Sequence, residues 1–214
     1  MRVVIAGGHG QIALILQRML SQAGHEAVGI IRNPEQAADL VVVGGVPLVL
    51  DLEQTDVDTL AQDLDGVDAV VFAAGGGPSS GAARKLTVDR DAAILLADAA
   101  ERRGISRYVM ISAMAADGFD PDSEDVFQIY LRAKSEADAD LRARSLDWTI
   151  IRPGGLTNDP PHGTVAVAES TGPGTIPRAD VAAVVMEALV NRRAVHRQFE
   201  LISGDVAISE ALPD

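Results

Sequence analysis

Tyr130 and Lys134 stand four residues apart in the stretch YLRAK. On a helix that spacing puts both side chains on one face. A phenol with an ordinary pKa of about 10 is a poor base at neutral pH. A neighbouring ammonium favours the phenolate and turns the pair into a workable proton donor and acceptor. The same spacing also suits a surface tyrosine laid along a lysine stem. The chain holds only two tyrosines and two lysines, Lys85 and Lys134, against sixteen arginines. A chance Tyr-x-x-x-Lys is therefore rare, and the placement of the helix must decide between the readings.

A proton relay at a carbinol oxygen requires a carrier for the hydride. The N-terminal stretch AGGHGQIA offers one a seat. Gly7, Gly10 and Ala13 follow directly on the apolar run RVVIA. In such a turn Gly7 permits the tight bend, Gly10 lets backbone approach a pyrophosphate, and small Ala13 lets the helix pack on the sheet. The free N–H groups at the helix start, around Gln11 and Ile12, then meet the phosphates. His9 can add a donor or simply face solvent. A turn serving packing alone is the competing explanation.

At the end of the second expected strand an NAD site usually carries an acid for the ribose hydroxyls. This chain has Ile31-Arg32-Asn33 instead. A guanidinium there suits a 2′-phosphate, so NADP(H) is the expected cofactor and NAD(H) the second choice. Arg32 as a solvated strand-end charge is the alternative. Asp51 can accept from an adenine amino group or cap the turn that follows, with Leu52 at the same edge. Ala73, Ala74 and Gly75 are small enough to lie against a flat ribose or ring, or are plain turn residues.

The elements that would position these groups alternate along the chain. Strands are expected at Arg2–Ala6, Glu26–Ile31, Pro47–Leu50, Ala69–Ala73, Arg107–Ser112 and Trp148–Ile151. Helices are expected at Gln11–Ala23, from Pro34, at Asp56–Leu64, at Leu86–Arg103 and at Val126–Arg144, the last with Ser123 or Asp125 as N-cap. Beyond lie a short apolar run at Thr164–Ala168, a helix over Val181–Asn191 and a last strand near Phe199–Ile202. The pattern predicts an α/β chain: a Rossmann-type, doubly wound parallel sheet. Residues 1–214 read as a single domain. The segment 153–214 is expected to be a short irregular tail covering the substrate at the sheet's C-terminal edge.

Composition excludes several function classes. A net charge of −13 and a pI near 4.6 argue against a nucleic-acid backbone as main partner. Absence of cysteine rules out disulfides and thiolate metal sites, and no metal is expected. The apolar start MRVVIAGG is too short for a signal peptide, and no run approaches the roughly 18 apolar residues of a membrane span. No membrane partner, a cytoplasmic location, a small-molecule substrate and a monomer or dimer are expected.

In order along the chain, AGGHGQIA, DLEQ, VVFAAG, RYVMIS, YLRAK, WTIIRPGGLT and RADVA resemble the short-chain dehydrogenase/reductase superfamily. The likeness is to its atypical, small NAD(P)-binding, epimerase/dehydratase-like members, and it covers nearly the whole chain. It implies a catalytic group of Ser112, Tyr130 and Lys134. Tyr130 would be the acid/base, Lys134 would lower its pKa and hold the nicotinamide ribose, and Ser112 would orient the substrate oxygen. A strand-end serine bonding to backbone is the plainer role for Ser112. Pro153 and Gly154 resemble the turn that lies against the nicotinamide. The chain departs from the pattern in Ala13 for a third glycine, in Ser112-Ala113-Met114, and in lacking the larger substrate domain of the sugar-nucleotide enzymes.

The expected activity is thus hydride transfer to or from a small carbonyl or hydroxyl compound. An NAD(P)H-sensing regulator, a flavin- or quinone-reductase-like member and an epimerase or dehydratase are the alternatives. Three loops are expected to meet over the nicotinamide end: Gly75–Ala83, Ala113–Asp125 and Pro153–Thr175. His162, in the third, can donate to a substrate or lie exposed.

Overall fold

The computed structural model describes residues 1–77 and 80–213. Pro78 and Ser79, part of the first expected loop, lie outside the described residues. The first half alternates β1 (Arg2–Ala6), α1 (Gln11–Gln22), β2 (Glu26–Ile31), α2 (Ala37–Val42), β3 (Val46–Val49), α3 (Val57–Asp63) and β4 (Ala69–Phe72). Next come α4 (Ala82–Arg84), a π-helical stretch (Lys85–Asp91), α5 (Ala92–Arg103), β5 (Arg107–Ile111), α6 (Val126–Arg142) and β6 (Asp147–Pro153). The chain closes with β7 (Gly155–Thr157), β8 (Thr164–Ala168), β9 (Thr175–Pro177), α7 (Arg178–Val190), β10 (Arg197–Ser203), β11 (Val206–Ala207) and α8 (Ile208–Ala211).

Among the described residues nine strands form the main sheet, in the order β11-β8-β10-β6-β5-β4-β1-β2-β3. From β3 across to β10 every neighbouring pair is parallel. The strand order reverses between β1 and β4, which opens the crevice where ligands of doubly wound sheets bind. Successive residues of a strand point to opposite faces. Val3 and Ile5 of β1 therefore pack with Leu16 and Leu20 of α1 and with Val181, Val184 and Leu189 of α7. Val4 and Ala6 pack on the other face with Leu60 of α3, Leu96 of α5 and Leu141 of α6.

Three expectations need correction. The helix expected to begin at Leu86 instead begins as α4 at Ala82 and passes through the π-helical Lys85–Asp91 before settling into α5. Such wide turns insert a residue and re-aim the side chains around them. The C-terminal tail is not merely a cover. α7 completes one core layer, β10 extends the parallel sheet beside β6, and β8 and β11 add antiparallel strands at its edge. Helix α7 also starts at Arg178, three residues earlier than expected.

Candidate active site

The glycine turn lies at the reversal point. Gly7 adopts φ 79°, and a Cβ there would sit 2.6 Å from Ala74 Cα. The first βα turn and the end of β4 are thus pressed together, and only glycine satisfies both demands. Gly8 packs in the same way against Gly29 of β2, where a Cβ would lie 2.6 Å from the facing Cα. Beneath them Gln17 is fully buried, and its Nε2 donates to the carbonyl of Gly8 at 2.7 Å. The N-cap of α1 is Gly10, which has no side chain to satisfy the first N–H groups, and the first turn carries no acid. The helix start is left as a set of free donors, an arrangement that suits a dinucleotide's phosphates.

A cleft runs from this turn in two compartments that share Ala73, Ala74 and Gly75. The first, about 340 Å³, is lined by Gly7, His9, Gly10, Arg32, Asp51 and Leu52, and also by Glu53 and Arg84. The second, about 670 Å³, is lined by Ile12, Ser112, Tyr130, Lys134 and Pro153, with Lys85, Asp89, Phe127 and Leu156. The expected site residues thus converge, with two exceptions. Gln11 opens α1 but faces solvent outside the cleft. Gly154 is small for another reason: a Cβ there would lie 2.4 Å from the carbonyl oxygen of Gly174.

In the first compartment Glu53 stands between two guanidinium groups. Arg84 reaches it at 2.8 Å and Arg32 at 3.7 Å. Thr87 Oγ1 donates to its other oxygen at 2.6 Å. The Thr87 hydrogen bond, with Arg84 and Arg32, outweighs burial and keeps the Glu53 carboxyl below its ordinary range. His9 pairs with Asp39 at 2.8 Å. Asp51 accepts from the backbone N–H of Glu53 at 3.0 Å and so caps its turn while lining the cleft.

In the second compartment Tyr130, Lys134 and Asp138 follow one another at one-turn intervals along α6. Asp125 starts this helix, accepting from the backbone N–H groups of Phe127 and Gln128. Lys134 is buried, with Nζ 3.3 Å from Asp89 Oδ1 and 3.4 Å from the carbonyl oxygens of Ala74 and Ile111. Burial alone would lower its pKa; Asp89 foremost, then Tyr130 and Asp138, reverse this and hold it above the ordinary value. Asp89 in turn accepts from the backbone N–H of Gly76 at 2.9 Å, which ties the loop after β4 to the π-helical stretch.

The two tyrosines divide between structure and cleft. Tyr108 is fully buried and donates to the carbonyl of Ala93 at 3.0 Å. Tyr130 lines the cleft, and among the described residues its hydroxyl makes no hydrogen bond. The ammonium groups of Lys134 and Lys85 lie 5.9 and 5.3 Å from its ring centroid. Burial raises the Tyr130 phenol above its ordinary pKa, and Asp89 and Asp138 add to this. Lys134 pulls in the expected direction, but desolvation is the larger effect, so the net shift is opposite to the sequence expectation.

Ser112 follows directly on β5 and donates from Oγ to Asp138 Oδ2 at 2.7 Å. Asp138 is fully buried and also receives Arg152 Nε at 2.9 Å, while Arg152 grips Asp117 through both terminal nitrogens. Burial raises the Asp138 carboxyl despite Arg152 and Ser112.

Four residues of this arrangement, Asp89, Asp138, Glu53 and Arg84, escaped the sequence reading. Asp138 had a signal, since it continues the Tyr130–Lys134 spacing by one more turn. Of the loops expected over the nicotinamide end, the third contributes Pro153 and Leu156, and part of it pairs as β7 and β8. His162 lies exposed away from the cleft, its backbone N–H donating to Asp180. No helix of the described residues is long and apolar enough to cross a membrane.

Known proteins match the chain over nearly their whole length. The chain is 38% identical to an uncharacterized sugar epimerase of Bacillus subtilis (strain 168), covering 99% of each. It matches a solved structure from Bacillus halodurans, provisionally named an NAD-dependent epimerase/dehydratase. The identity there is 36% and the TM-score 0.89, over 98% of this chain and 97% of that one. A Lactococcus lactis structure named as an oxidoreductase matches at 25% identity and a TM-score of 0.84, over 99% and 94% of the two chains. Residues 7–192 match the model described as NAD(P)H-binding, so the chain belongs to the NAD(P)H-binding family, and its fold is a Rossmann-type α/β sheet.

Proposed function

We propose that the chain is an NADP(H)-dependent oxidoreductase of the short-chain type, acting on a small carbonyl or hydroxyl compound with Tyr130 as the acid/base. The observation that carries this reading is the Tyr130 hydroxyl, without a hydrogen bond among the described residues, at the wall of the cleft and on the same helical face as a lysine paired with Asp89. The bound dinucleotide supplies or takes up the hydride. The protein's own contribution is to hold the reactants and to move one proton. In the reducing direction the phenol of Tyr130 gives its proton to the oxygen that gains negative charge. A phenol kept above its ordinary pKa is fully protonated at neutral pH and ready for that step. Lys134 would hold a ribose hydroxyl, and its charge would compensate the phenolate left after transfer. Ser112, its own proton committed to Asp138, offers lone pairs to a hydroxyl.

An epimerase or dehydratase reading rests on the names of two relatives. It uses the same residues, because transient oxidation at a carbinol carbon needs the same proton acceptor. The deciding experiment is NADPH oxidation against a panel of small aldehydes and ketones with wild type and Tyr130→Phe. Turnover should fall by about 100-fold or more in the variant with NADPH affinity retained. Equal turnover in the two proteins refutes the assigned acid/base.

A further inference from the structure

We propose that Lys85 is the anion-recognition residue of the second compartment, and that the substrate is a carbonyl compound carrying a carboxylate on an otherwise apolar body. This rests on the oxidoreductase reading above and specifies the substrate class of that same site.

The chain's two lysines are both buried beside Tyr130, yet they are held very differently. Lys134 has Asp89 at 3.3 Å and two carbonyl oxygens besides. Lys85 is 7% exposed and, among the described residues, makes one hydrogen bond, from Nζ to the carbonyl of Gly77 at 2.7 Å. Among the described residues no carboxylate forms an ion pair with it. An ammonium carries three donors, and a desolvated one without a counter-charge is costly to keep. If tying Gly77 to the helix were its whole task, a neutral donor would serve. The unused positive charge points to a ligand that brings the negative one.

The surroundings define that ligand further. The π-helical stretch turns Lys85 and Asp89 into the second compartment, whereas the preceding Arg84 lines the first. Lys85 therefore serves the reacting end of the cleft rather than the phosphate and adenosine end. Its ammonium lies 5.3 Å from the Tyr130 ring centroid, so an anion held there is a near neighbour of the reacting oxygen. The other walls are Ile12, Ile111, Val126, Phe127 and Leu156, with Phe127 60% and Leu156 37% exposed at the rim. One unpaired ammonium matches a monoanion. A phosphate dianion would bring a surplus charge into a compartment whose remaining charged side chains are the Lys134–Asp89 pair and Asp125.

The test uses benzoylformate and its methyl ester, which share a carbonyl and an apolar ring and differ by one charge. Each is titrated calorimetrically into the protein at saturating NADP⁺. Benzoylformate should bind at least about tenfold tighter than the ester, the equivalent of one charge-assisted contact. In Lys85→Met and Lys85→Gln that preference should fall to about twofold or less, with ester binding unchanged. Glutamine keeps a donor for Gly77, which separates the charge from the tether. Acid no tighter than ester in wild type, including no detectable binding of either, overturns the proposal. So does a preference that survives in either folded variant. The readout is binding, so failure here leaves NADPH affinity and the Tyr130→Phe result standing. Failure of the Tyr130 mechanism, conversely, would leave the acid-over-ester preference intact.

Discussion

Lys134 Nζ lies 3.3 Å from Asp89 Oδ1, and both side chains are buried where α6 faces the π-helical stretch. Breaking a buried pair by removing one partner strands the other charge and costs about 3–5 kcal/mol. Asp89→Asn keeps an acceptor for the Gly76 N–H, so it removes the charge and little else. Its stability to urea should fall by about 3–5 kcal/mol. The double variant Asp89→Asn, Lys134→Met should recover most of that loss, because no buried charge then remains. A loss in Asp89→Asn below about 1 kcal/mol would put the pair in the class of screened surface bridges instead.

The hydrogen bond from Ser112 to Asp138 fixes which way the serine hydroxyl can act. In the proposed mechanism Ser112, with its proton engaged, would accept from a substrate hydroxyl, with Asp138 as the positioning residue behind it. Ser112→Ala and Asp138→Asn should each lower kcat, by up to about 100-fold, and leave NADPH affinity unchanged. The double variant should be little worse than the poorer single one, since both changes remove the same oriented acceptor. Independent, multiplying losses would mean that Asp138 acts on the reaction by a route other than Ser112.

Much of this was legible in the sequence, for reasons that can be named. Val3 and Ile5 alternate with Val4 and Ala6, so β1 declares two buried faces. Gly7 must be glycine on both steric and conformational grounds, and its position after an apolar run signals the turn. Tyr130 and Lys134 needed only a helix to meet. The unread parts depend on contacts between distant segments. Asp89 lies inside a helical pattern, and nothing local says that a π-helical turn rotates it toward Lys134. Glu53 and Arg84 meet across a loop and a helix start. The strand β8 gains its place by pairing with β10 and β11, more than thirty residues later in the chain.

On the NADP(H) reading proposed above, cofactor choice would turn on the cluster of Arg32, Arg84 and Glu53. Two guanidinium groups face one carboxylate, which leaves one positive charge for a 2′-phosphate. Arg32→Ala and Arg84→Ala should each weaken NADPH binding about tenfold, the value of one charge-assisted contact, and leave NADH binding nearly unchanged. Glu53→Gln should strengthen NADPH binding, because it releases both arginines and removes a like charge from the phosphate. Fluorescence titration of wild type and variants with both dinucleotides checks this. Tighter binding of NADH by wild type, with Arg32→Ala neutral, would assign the site to NAD(H).

The pH dependence of reduction follows from the direction of the Tyr130 shift. Burial, Asp89 and Asp138 together outweigh Lys134, so the phenol loses its proton only above its ordinary value of 10.0. A proton donor of that kind is fully charged with its proton at every lower pH. Reduction by NADPH should therefore show no loss of kcat from neutrality up to about pH 10, and decline only beyond it. Oxidation of the corresponding alcohol needs the phenolate, so its kcat should rise about tenfold per pH unit over the same range. Lys134 does not alter this assignment, since Asp89 keeps it protonated throughout. The two profiles, measured in one buffer series at saturating cofactor, test the sign directly. A reduction rate that falls between about pH 6 and 8 would mean that a group with a much lower pKa delivers the proton, and Tyr130 would lose its role.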